Sequence, residues 1–363
     1  MMLVWLFACG GTQPEGWLVS EKTGGPTVQY DLTVEPLPEI PLPNDQATRL
    51  DPTTATGRRL NISEDAPTEY ERRTRRTFNQ LDGFGTFSPI MVSFDAPLNI
   101  GDLKDRHSDT DFRNDAIFLL NVDDECNRYG EEVYLDFHSG RNPITLYKFG
   151  ERRADPEAPN GEYFDDKGNL FFQFDSRFDA HNILFEERFE DVNGNGVLDE
   201  GEDIDLDGRL DVPNFVDTEA CIGVEGIEYN QCVADNLVNF YDRQADRLYL
   251  KPLWPLEQQC TYAVVLTKRV EGEGGQSIQS PFPYVNPQSQ TSDVSGVEPL
   301  LSRYGLSTDD VAFAWTFTTG SMTQDIEEVR KGLYGAGAFS QLGTEFPVSR
   351  FHPCTLWDRG QVR

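Results

Sequence analysis

The sequence has few basic residues and few histidines, and beyond its first residues it has no long apolar run. Its 62 acidic side chains face 31 lysines and arginines, so the formal net charge over 363 residues is −31. A field of this sign argues against a nucleic-acid partner or an anionic lipid surface, because both are negatively charged. No segment approaches the roughly eighteen apolar residues of a membrane span. We therefore expect membrane contact only through a lipid anchor.

Catalytic motifs are also missing. The sequence contains no Gly-x-Ser-x-Gly nucleophile elbow, no His-Glu-x-x-His zinc pattern, no phosphate loop and no dinucleotide fingerprint. The nearest serines, Ser277 and Ser307, lack the second glycine of an elbow, and Ser307 is better placed to cap a turn before Asp310. The four histidines are scattered along the chain: His107, His138, His181 and His352. The residues therefore favour a non-catalytic protein.

None of the six cysteines belongs to a Cys-x-x-Cys pair, which leaves zinc and redox motifs unsupported. In an exported chain, disulfides are the default. The most local pairing joins Cys221 to Cys232, and Cys126 with Cys260 comes next, which leaves Cys354 over. The alternative is that each of these residues is a buried free thiol.

The first nine residues form a short apolar run that ends at Cys9. Leu6-Phe7-Ala8-Cys9 resembles a loose lipobox, although the basic region that normally precedes one is missing. Either the true start lies upstream, or the run is only an apolar N-terminus. The polar, glycine-containing stretch that follows suits a tether. We expect lipidation of Cys9, and hence export to the outer membrane or the cell surface.

The most informative stretch covers residues 191–211, where acidic or amide side chains recur at alternate positions with turn glycines between them. It matches the EF-hand loop, in which positions 1, 3, 5, 7, 9 and 12 supply oxygen ligands to Ca²⁺ and position 6 is glycine. In the first loop that glycine is Gly196. The predicted ligands of the first loop are Asp191, Asn193, Asn195, the Val197 carbonyl, Asp199 and Glu202.

The second loop is a partial copy of the first. Its predicted ligands are Asp203, Asp205, Asp207, the Arg209 carbonyl and Asp211. Asn214 stands at its position 12, where an amide or a water would have to replace a carboxylate. Across residues 190–211, nine carboxylates face one arginine, so a cation would relieve their mutual repulsion. The alternative is a solvated acidic turn. The flanking segments are too short or too proline-broken for a regulatory helix pair, so we expect calcium to act as a structural staple.

Short runs of aromatic and β-branched residues between turn residues predict a mainly β fold. The predicted strands cover residues 27–34, 90–94, 116–122, 132–137, 145–149, 170–174, 182–185, 248–250, 261–270 and 311–319. Four prolines within residues 36–43 predict an extended crossing that ends in a turn at Asn44-Asp45.

Helix signals are scarce. One helix is expected over residues 67–80, where Thr68 and Glu71 form a capping-box pattern and four arginines follow. The arginines predict a solvated helix face, with a binding patch as the alternative. A change to helical periodicity over residues 323–334, with Ile326, Val329 and Leu333 on one side, predicts a short C-terminal helix.

Five short motifs follow one another between about residues 30 and 340. They are Pro41-Leu42-Pro43-Asn44-Asp45, Leu81-Asp82-Gly83-Phe84, Ala116-Ile117-Phe118-Leu119-Leu120-Asn121, Leu250-Lys251-Pro252-Leu253-Trp254-Pro255-Leu256 and Tyr262-Ala263-Val264-Val265-Leu266-Thr267. In series they resemble the N-terminal domain of bacterial extracellular lipases and related lipoproteins, which is similar in turn to the Ig-like domains of S-layer proteins. The resemblance implies a surface lipoprotein whose Ig-like region precedes an α/β-hydrolase domain. This chain departs from that pattern at Arg363, where the hydrolase domain would begin, and in its calcium insertion.

We therefore expect an Ig-like β-sandwich over residues 30–320, with the calcium-loop insertion at about residues 186–215. Residues 1–29 would be a signal remnant and linker, and residues 321–363 a helix and tail or the start of a further domain. The expected function is that of a non-catalytic, calcium-binding lipoprotein of the cell surface. Two alternatives stay open. One is the accessory part of a split or truncated lipase, and the other is a calcium-dependent adhesion module for a surface or extracellular protein or polysaccharide.

Overall fold

A computed structural model describes residues 15–107, 111–137, 195, 197–203, 208, 210, 223, 238, 240–243 and 245–347. In this part of the chain, eight strands form three antiparallel sheets, and short helices lie between them. Helical and extended residues are about equally frequent, so the fold is mixed rather than mainly β. The helices were underestimated because most of them are a single turn or two, which gives little room for periodicity in the sequence.

The strands are β1 (Thr48–Leu50), β2 (Arg58–Leu60), β3 (Ile90–Ser93), β4 (Ile117–Asn121), β5 (Tyr241–Asp242), β6 (Arg247–Leu250), β7 (Thr261–Thr267) and β8 (Val311–Thr318). The helices are α1 (Glu69–Phe78), α2 (Ile100–Arg106), α3 (Thr291–Ser295), α4 (Glu298–Leu301), α5 (Gln324–Leu333) and α6 (Leu342–Glu345). Single 3₁₀ turns cover Asp45–Ala47, Gln288–Gln290, Ser302–Tyr304 and Thr308–Asp310. Among these residues, no helix has both the length and the apolar character needed to cross a membrane.

The central sheet consists of β4, β7 and β8, with β7 in the middle. Val264 of β7 lies opposite Leu119 on one side and Trp315 on the other. All eight residues of β8 and all five of β4 are buried. A strand that is covered on both faces is apolar throughout instead of alternating, which explains why these three strands were the easiest to predict.

The second sheet has the order β3-β6-β5, and its apolar side chains share one hydrophobic cluster with the first face of the central sheet. From the second sheet come Ile90, Val92, Tyr241, Leu248 and Leu250, and from the central sheet Ile117, Leu119, Tyr262, Val264, Leu266, Phe313, Trp315 and Phe317. The central residues occupy alternate positions, as the two-residue period of a strand requires. This cluster is the larger of the two cores.

The other face of the central sheet is covered by α3, α4 and the turn that follows them. Its side chains include Phe118, Leu120, Ala263, Val265 and Ala314, which pack with Val294, Val297, Leu300 and Leu301. Val294 and Val297 are three residues apart, and Leu300 and Leu301 follow three and four residues after Val297, so all four reach the sheet from two consecutive short helices and their junction. The prediction of scarce helices missed this layer.

The helix α1 begins where its cap predicts. Thr68 Oγ1 accepts a hydrogen bond from the Glu71 amide at 3.2 Å. The expected solvated arginine face is only partly correct, because Arg75 is buried. Its guanidinium donates to the carbonyls of Ser63 and Asp65 and pairs with Glu71.

The predicted turn at Asn44-Asp45, after the proline-rich crossing, is confirmed. The turn covers Asp45–Ala47, and the side chain of Asn44 caps it. Asp45 is buried against β8, where it accepts hydrogen bonds from the amide and the hydroxyl of Thr318 at 2.9 and 2.8 Å. Burial raises the pKa of Asp45, and nearby Arg58 opposes that shift. This contact joins the motif Pro41-Leu42-Pro43-Asn44-Asp45 to the central sheet.

Two predicted strands are wrong. Residues 27–34 and 132–137 form only isolated bridges, such as Val28 with Phe94 and Glu132 with Leu120. Residues 15–20, predicted as linker, hydrogen-bond to the segment before β8, including a bond from the Trp17 amide to Asn286 Oδ1 at 2.9 Å. The strands predicted at residues 145–149, 170–174 and 182–185 lie outside the described residues.

Candidate metal site

Five of the predicted calcium ligands lie in the described part of the acidic segment, namely Asn195, Val197, Asp199, Glu202 and Asp203. The other predicted ligands lie outside it, as does the expected lipidation site. The undescribed ligands are Asp191, Asn193, Asp205, Asp207, Arg209 and Asp211. The turn glycine Gly196 and the lipidation site Cys9 also lie outside the described residues. The described residues therefore form the end of the first loop and the start of the second.

The described end of the first loop brings three predicted ligands together. Asn195 Nδ2 donates to Asp199 Oδ2 at 2.7 Å, which joins loop positions 5 and 9. The Asp199 amide donates to Glu202 Oε2 at 3.0 Å, which joins positions 9 and 12. Glu202 is only 7% exposed although it carries a carboxylate. Gly201, whose φ is +93°, makes the turn between Asp199 and Glu202 possible.

At the start of the second loop, Asp203 and Gly208 occupy positions 1 and 6. The Gly208 amide donates to Asp203 Oδ2 at 3.2 Å, and Gly208 has the positive φ, +77°, expected for the turn glycine. Asp203 Oδ1 is buried and has no hydrogen-bond partner among the described residues. A buried carboxylate oxygen without a partner is unfavourable, typically by about 1–3 kcal/mol or more.

The charge of this segment is of one sign. Between residues 195 and 208 the sequence has six carboxylates and no lysine or arginine. Val197 is 57% exposed, so it adds little apolar burial. Oxygen donors of this kind are the ligands of hard cations such as Ca²⁺, and the amide at Asn195 and the carbonyl at Val197 are ligand types that the same ion accepts.

No protein-family model matches the chain, and neither a curated protein nor a solved structure matches it.

A second group of metal-ligand side chains is closed by a disulfide. Cys126, Cys260 and Glu257 lie close enough to share an ion, but Cys126 and Cys260 are bonded to each other, with Cα atoms 6.2 Å apart. Glu257 accepts hydrogen bonds from the Arg128 amide and from Asn127 Nδ2 at 2.9 and 3.1 Å. The second of the two predicted cysteine pairings is thus confirmed, while Cys221, Cys232 and Cys354 lie outside the described residues.

His107 is the one histidine in the described ranges, and its ring is fully engaged. Nδ1 lies 3.2 Å from Asp115 Oδ2, and Nε2 accepts hydrogen bonds from the amides of Ala116 and Ile117 at 3.2 and 3.3 Å. A base needs a free ring nitrogen to take up a proton from a substrate. His107 therefore has a structural role at the start of β4.

The two serines nearest to an elbow pattern are also engaged. Ser277 Oγ donates to the Lys268 carbonyl at 2.5 Å. Ser307 forms a capping box with Asp310, with its hydroxyl 2.8 Å from Asp310 Oδ2, as its position predicts. Neither hydroxyl has a histidine partner among the described residues, which a serine nucleophile requires.

Sequence reasoning missed one unusual carboxylate. Glu132 is 8% exposed, and its Oε2 has no hydrogen-bond partner in the described part of the chain. Burial raises the pKa of Glu132 to about 10, and the neighbouring Asp115 carboxylate adds to the shift. Alternation over residues 132–137 assigns Val133, Leu135 and Phe137 to the buried side and Glu132 to the opposite side, so the sequence carries no signal of its burial.

Proposed function

We propose that this protein is a non-catalytic, calcium-binding protein in which the ion fixes the acidic segment as a structural staple. The observation that carries the proposal is Asp203 Oδ1, which is buried and unpaired among the described residues. A hard cation would satisfy this oxygen and also offset the charge of the buried Glu202 next to it. The convergence of Asn195, Asp199 and Glu202 supports the same conclusion for the first loop.

The proposed ion would stabilise the folded conformation of the acidic segment, as apolar contacts stabilise the sheets. The segment has little apolar surface to bury, and its carboxylates repel one another. A ligand that binds only the folded form stabilises it by about 2.7 kcal/mol when its concentration is a hundred times its dissociation constant. The proposal therefore predicts an acidic segment that is ordered in calcium and loosened by a chelator.

Isothermal titration calorimetry of chelator-treated protein with CaCl₂ tests the proposal. We expect Asp203→Asn to weaken calcium binding by about tenfold or more, because one charged ligand is worth about 1.5–3 kcal/mol. Glu200→Gln is the matched control, since it removes one charge from an exposed residue of the same segment that is not a ligand position. An absence of binding heat in the parent, or an equal loss in both variants, would refute the proposal.

The described fold is compatible with an Ig-like β-sandwich, which we propose as its finer class. The support is that two antiparallel sheets contribute to one hydrophobic cluster. The layer formed by α3 and α4 on the outer face of the central sheet would be an addition to such a sandwich. A crystal structure tests this class: the two sheets should face each other about 10 Å apart, and a larger separation would reject it.

We also propose export and lipid anchoring at Cys9, with a surface or extracellular protein or polysaccharide as the partner. The support is the apolar run before Cys9 and the polar stretch after it. Metabolic labelling with an alkyne fatty acid should mark the parent and not Cys9→Ser. Equal labelling of both would remove Cys9 from the proposal without affecting the calcium site.

A further inference from the structure

The central sheet ends at β4, and a short segment of the chain closes this edge. Residues 130–137, here called the strap, follow the outer side of β4 through an isolated bridge and not as a regular strand. The Gly130 amide donates to the Asn121 carbonyl at 2.8 Å, and the Val133 amide donates to the Leu119 carbonyl at 2.9 Å. The strap thus satisfies backbone groups that an edge strand would otherwise leave open.

On its other side, the strap is joined to the segment that follows β6. The Leu253 amide donates to the Tyr134 carbonyl at 3.0 Å, and the Asp136 amide donates to the Lys251 carbonyl at 2.9 Å. The strap also buries three apolar side chains in the larger core, namely Val133, Leu135 and Phe137. Few backbone bonds and one row of apolar contacts therefore hold the strap closed.

Glu132 works against this closure. Its side chain is 8% exposed, and its Oε2 has no hydrogen-bond partner in the described part of the chain. The titratable groups next to it are Asp115, which precedes β4, and Tyr304, whose hydroxyl donates to the Gly130 carbonyl at 2.8 Å. The guanidinium of Arg303 donates to the same carbonyl at 3.4 Å. A carboxylate at Glu132 would be buried next to a second carboxylate, so the closed strap favours the protonated acid.

Asp115 cannot relieve Glu132 by taking the proton to a separate site. Asp115 is itself buried, and its Oδ2 lies 3.2 Å from His107 Nδ1. An open strap would expose the Glu132 side chain to water, where a carboxyl has its ordinary pKa. Because burial raises the pKa of Glu132 from 4.5 to about 10, the closed strap holds a proton that the open strap releases between these values.

We propose that the strap opens locally, ahead of the rest of the fold, in a step that releases the Glu132 proton, so that opening becomes more frequent as the pH rises. The closed form is favoured most below about pH 4.5, and its advantage falls by up to about tenfold per pH unit until it levels off near pH 10. Opening uncovers the outer edge of β4. This inference is independent of the calcium proposal, since none of its residues belongs to the acidic loops.

Hydrogen–deuterium exchange of the full chain between about pH 5.5 and 8.5, corrected for intrinsic exchange rates, tests the proposal. At each pH the amides of Val133 and Asp136 should be less protected than those of β7. Their protection should fall by up to about tenfold per pH unit. Glu132→Gln, which keeps the shape of the protonated acid, should remove this pH dependence. Glu131→Gln, at the exposed neighbouring position, is the matched control and should keep it.

A second variant separates the packing of the strap from its proton. Leu135→Ala reduces apolar burial and should lower the protection of the strap by a similar factor at every pH, with the slope unchanged. The proposal is overturned if the strap amides are as protected as those of β7 at every pH, if their protection in the parent does not depend on pH, or if Glu132→Gln keeps the parent's slope. A chelator should not alter these results, so failure here leaves the calcium proposal intact.

Discussion

The central sheet and the acidic segment contain opposite kinds of side chain. In β4, β7 and β8 almost every side chain is buried and apolar, and the sheet is covered on both faces. In residues 195–208 the side chains are mostly carboxylates, and the few apolar ones include the exposed Val197. The first region is stabilised by removal of apolar surface from water, which needs no ligand. The described residues of the second bury little apolar surface, and in our proposal the segment depends on a bound cation.

The largest expected effect breaks the central sheet. Leu266 is fully buried in β7, and Leu266→Ala should lower the free energy of unfolding by about 2–5 kcal/mol through lost burial and a cavity. Urea denaturation should give the same loss with calcium and with a chelator. Leu50→Ala, at a position 81% exposed, is the control and should change stability by less than about 0.5 kcal/mol. A calcium-dependent loss in Leu266→Ala would contradict the separation of the two regions.

The next effect concerns the buried acid beside the central sheet. Because the pKa of Glu132 is raised to about 10, the folded protein keeps a proton that the unfolded chain releases above about pH 4.5. The contribution of Glu132 to stability is therefore best below that pH, falls as the pH rises toward 10, and levels off above it. Each pH unit above the pKa of the unfolded chain lowers the free energy of unfolding by about 1.4 kcal/mol. At pH 7 the loss caused by Glu132 is therefore up to about 3 kcal/mol.

Glu132→Gln should accordingly stabilise the protein at pH 7 and flatten the difference in stability between pH 5 and pH 9. Glu131→Gln, at the exposed neighbouring position, serves as the control. Chemical denaturation at a series of pH values gives both quantities. The control Glu131→Gln should keep the parent's pH dependence. If Glu132→Gln keeps it as well, Glu132 is ionised in the folded state and the assignment of its pKa is wrong.

A third effect should appear in the acidic segment alone. Asp191→Ala combined with Asp203→Ala removes position 1 from both predicted loops. We expect the melting temperature in calcium to fall to that of the parent in chelator. The corresponding loss in the free energy of unfolding is about 2–3 kcal/mol if calcium is present at a hundred times its dissociation constant. Differential scanning calorimetry would show this. Identical melting of variant and parent in both conditions would discard the calcium hypothesis.

The smallest effect tests a local contact that the sequence predicts. Thr68→Ala removes the N-cap of α1 and should cost about 1 kcal/mol, independently of calcium. Thr77→Ala on the exposed side of the same helix is a suitable comparison and should be close to neutral. Urea denaturation with an unchanged slope measures both, and a loss no larger than that of Thr77→Ala would show that the cap is dispensable.

These regions also differ in how far the sequence predicts them. The strands β4, β7 and β8 were predictable because short apolar runs with β-branched and aromatic residues favour buried strands, and α1 because Thr68 and Glu71 mark its start. The helices α3 and α4 were missed, although Val294, Val297, Leu300 and Leu301 have helical spacing, because Gly296 and Pro299 interrupt a short pattern.

Tertiary contacts account for what the sequence could not provide. Nothing in the local sequence distinguishes Arg75 from an exposed helical arginine. Its burial depends on the carbonyls of Ser63 and Asp65, which accept its hydrogen bonds. The unpaired oxygens of Asp203 and Glu132 become visible only when burial is known, since the residue types alone say nothing about partners.

Hydrogen–deuterium exchange in calcium and in chelator measures the contrast between the two regions most directly. We predict that amides of residues 197–203 exchange markedly more slowly in calcium, whereas those of β7 and β8 exchange equally slowly in both. Indistinguishable exchange of residues 197–203 in the two conditions would contradict the role assigned to the ion.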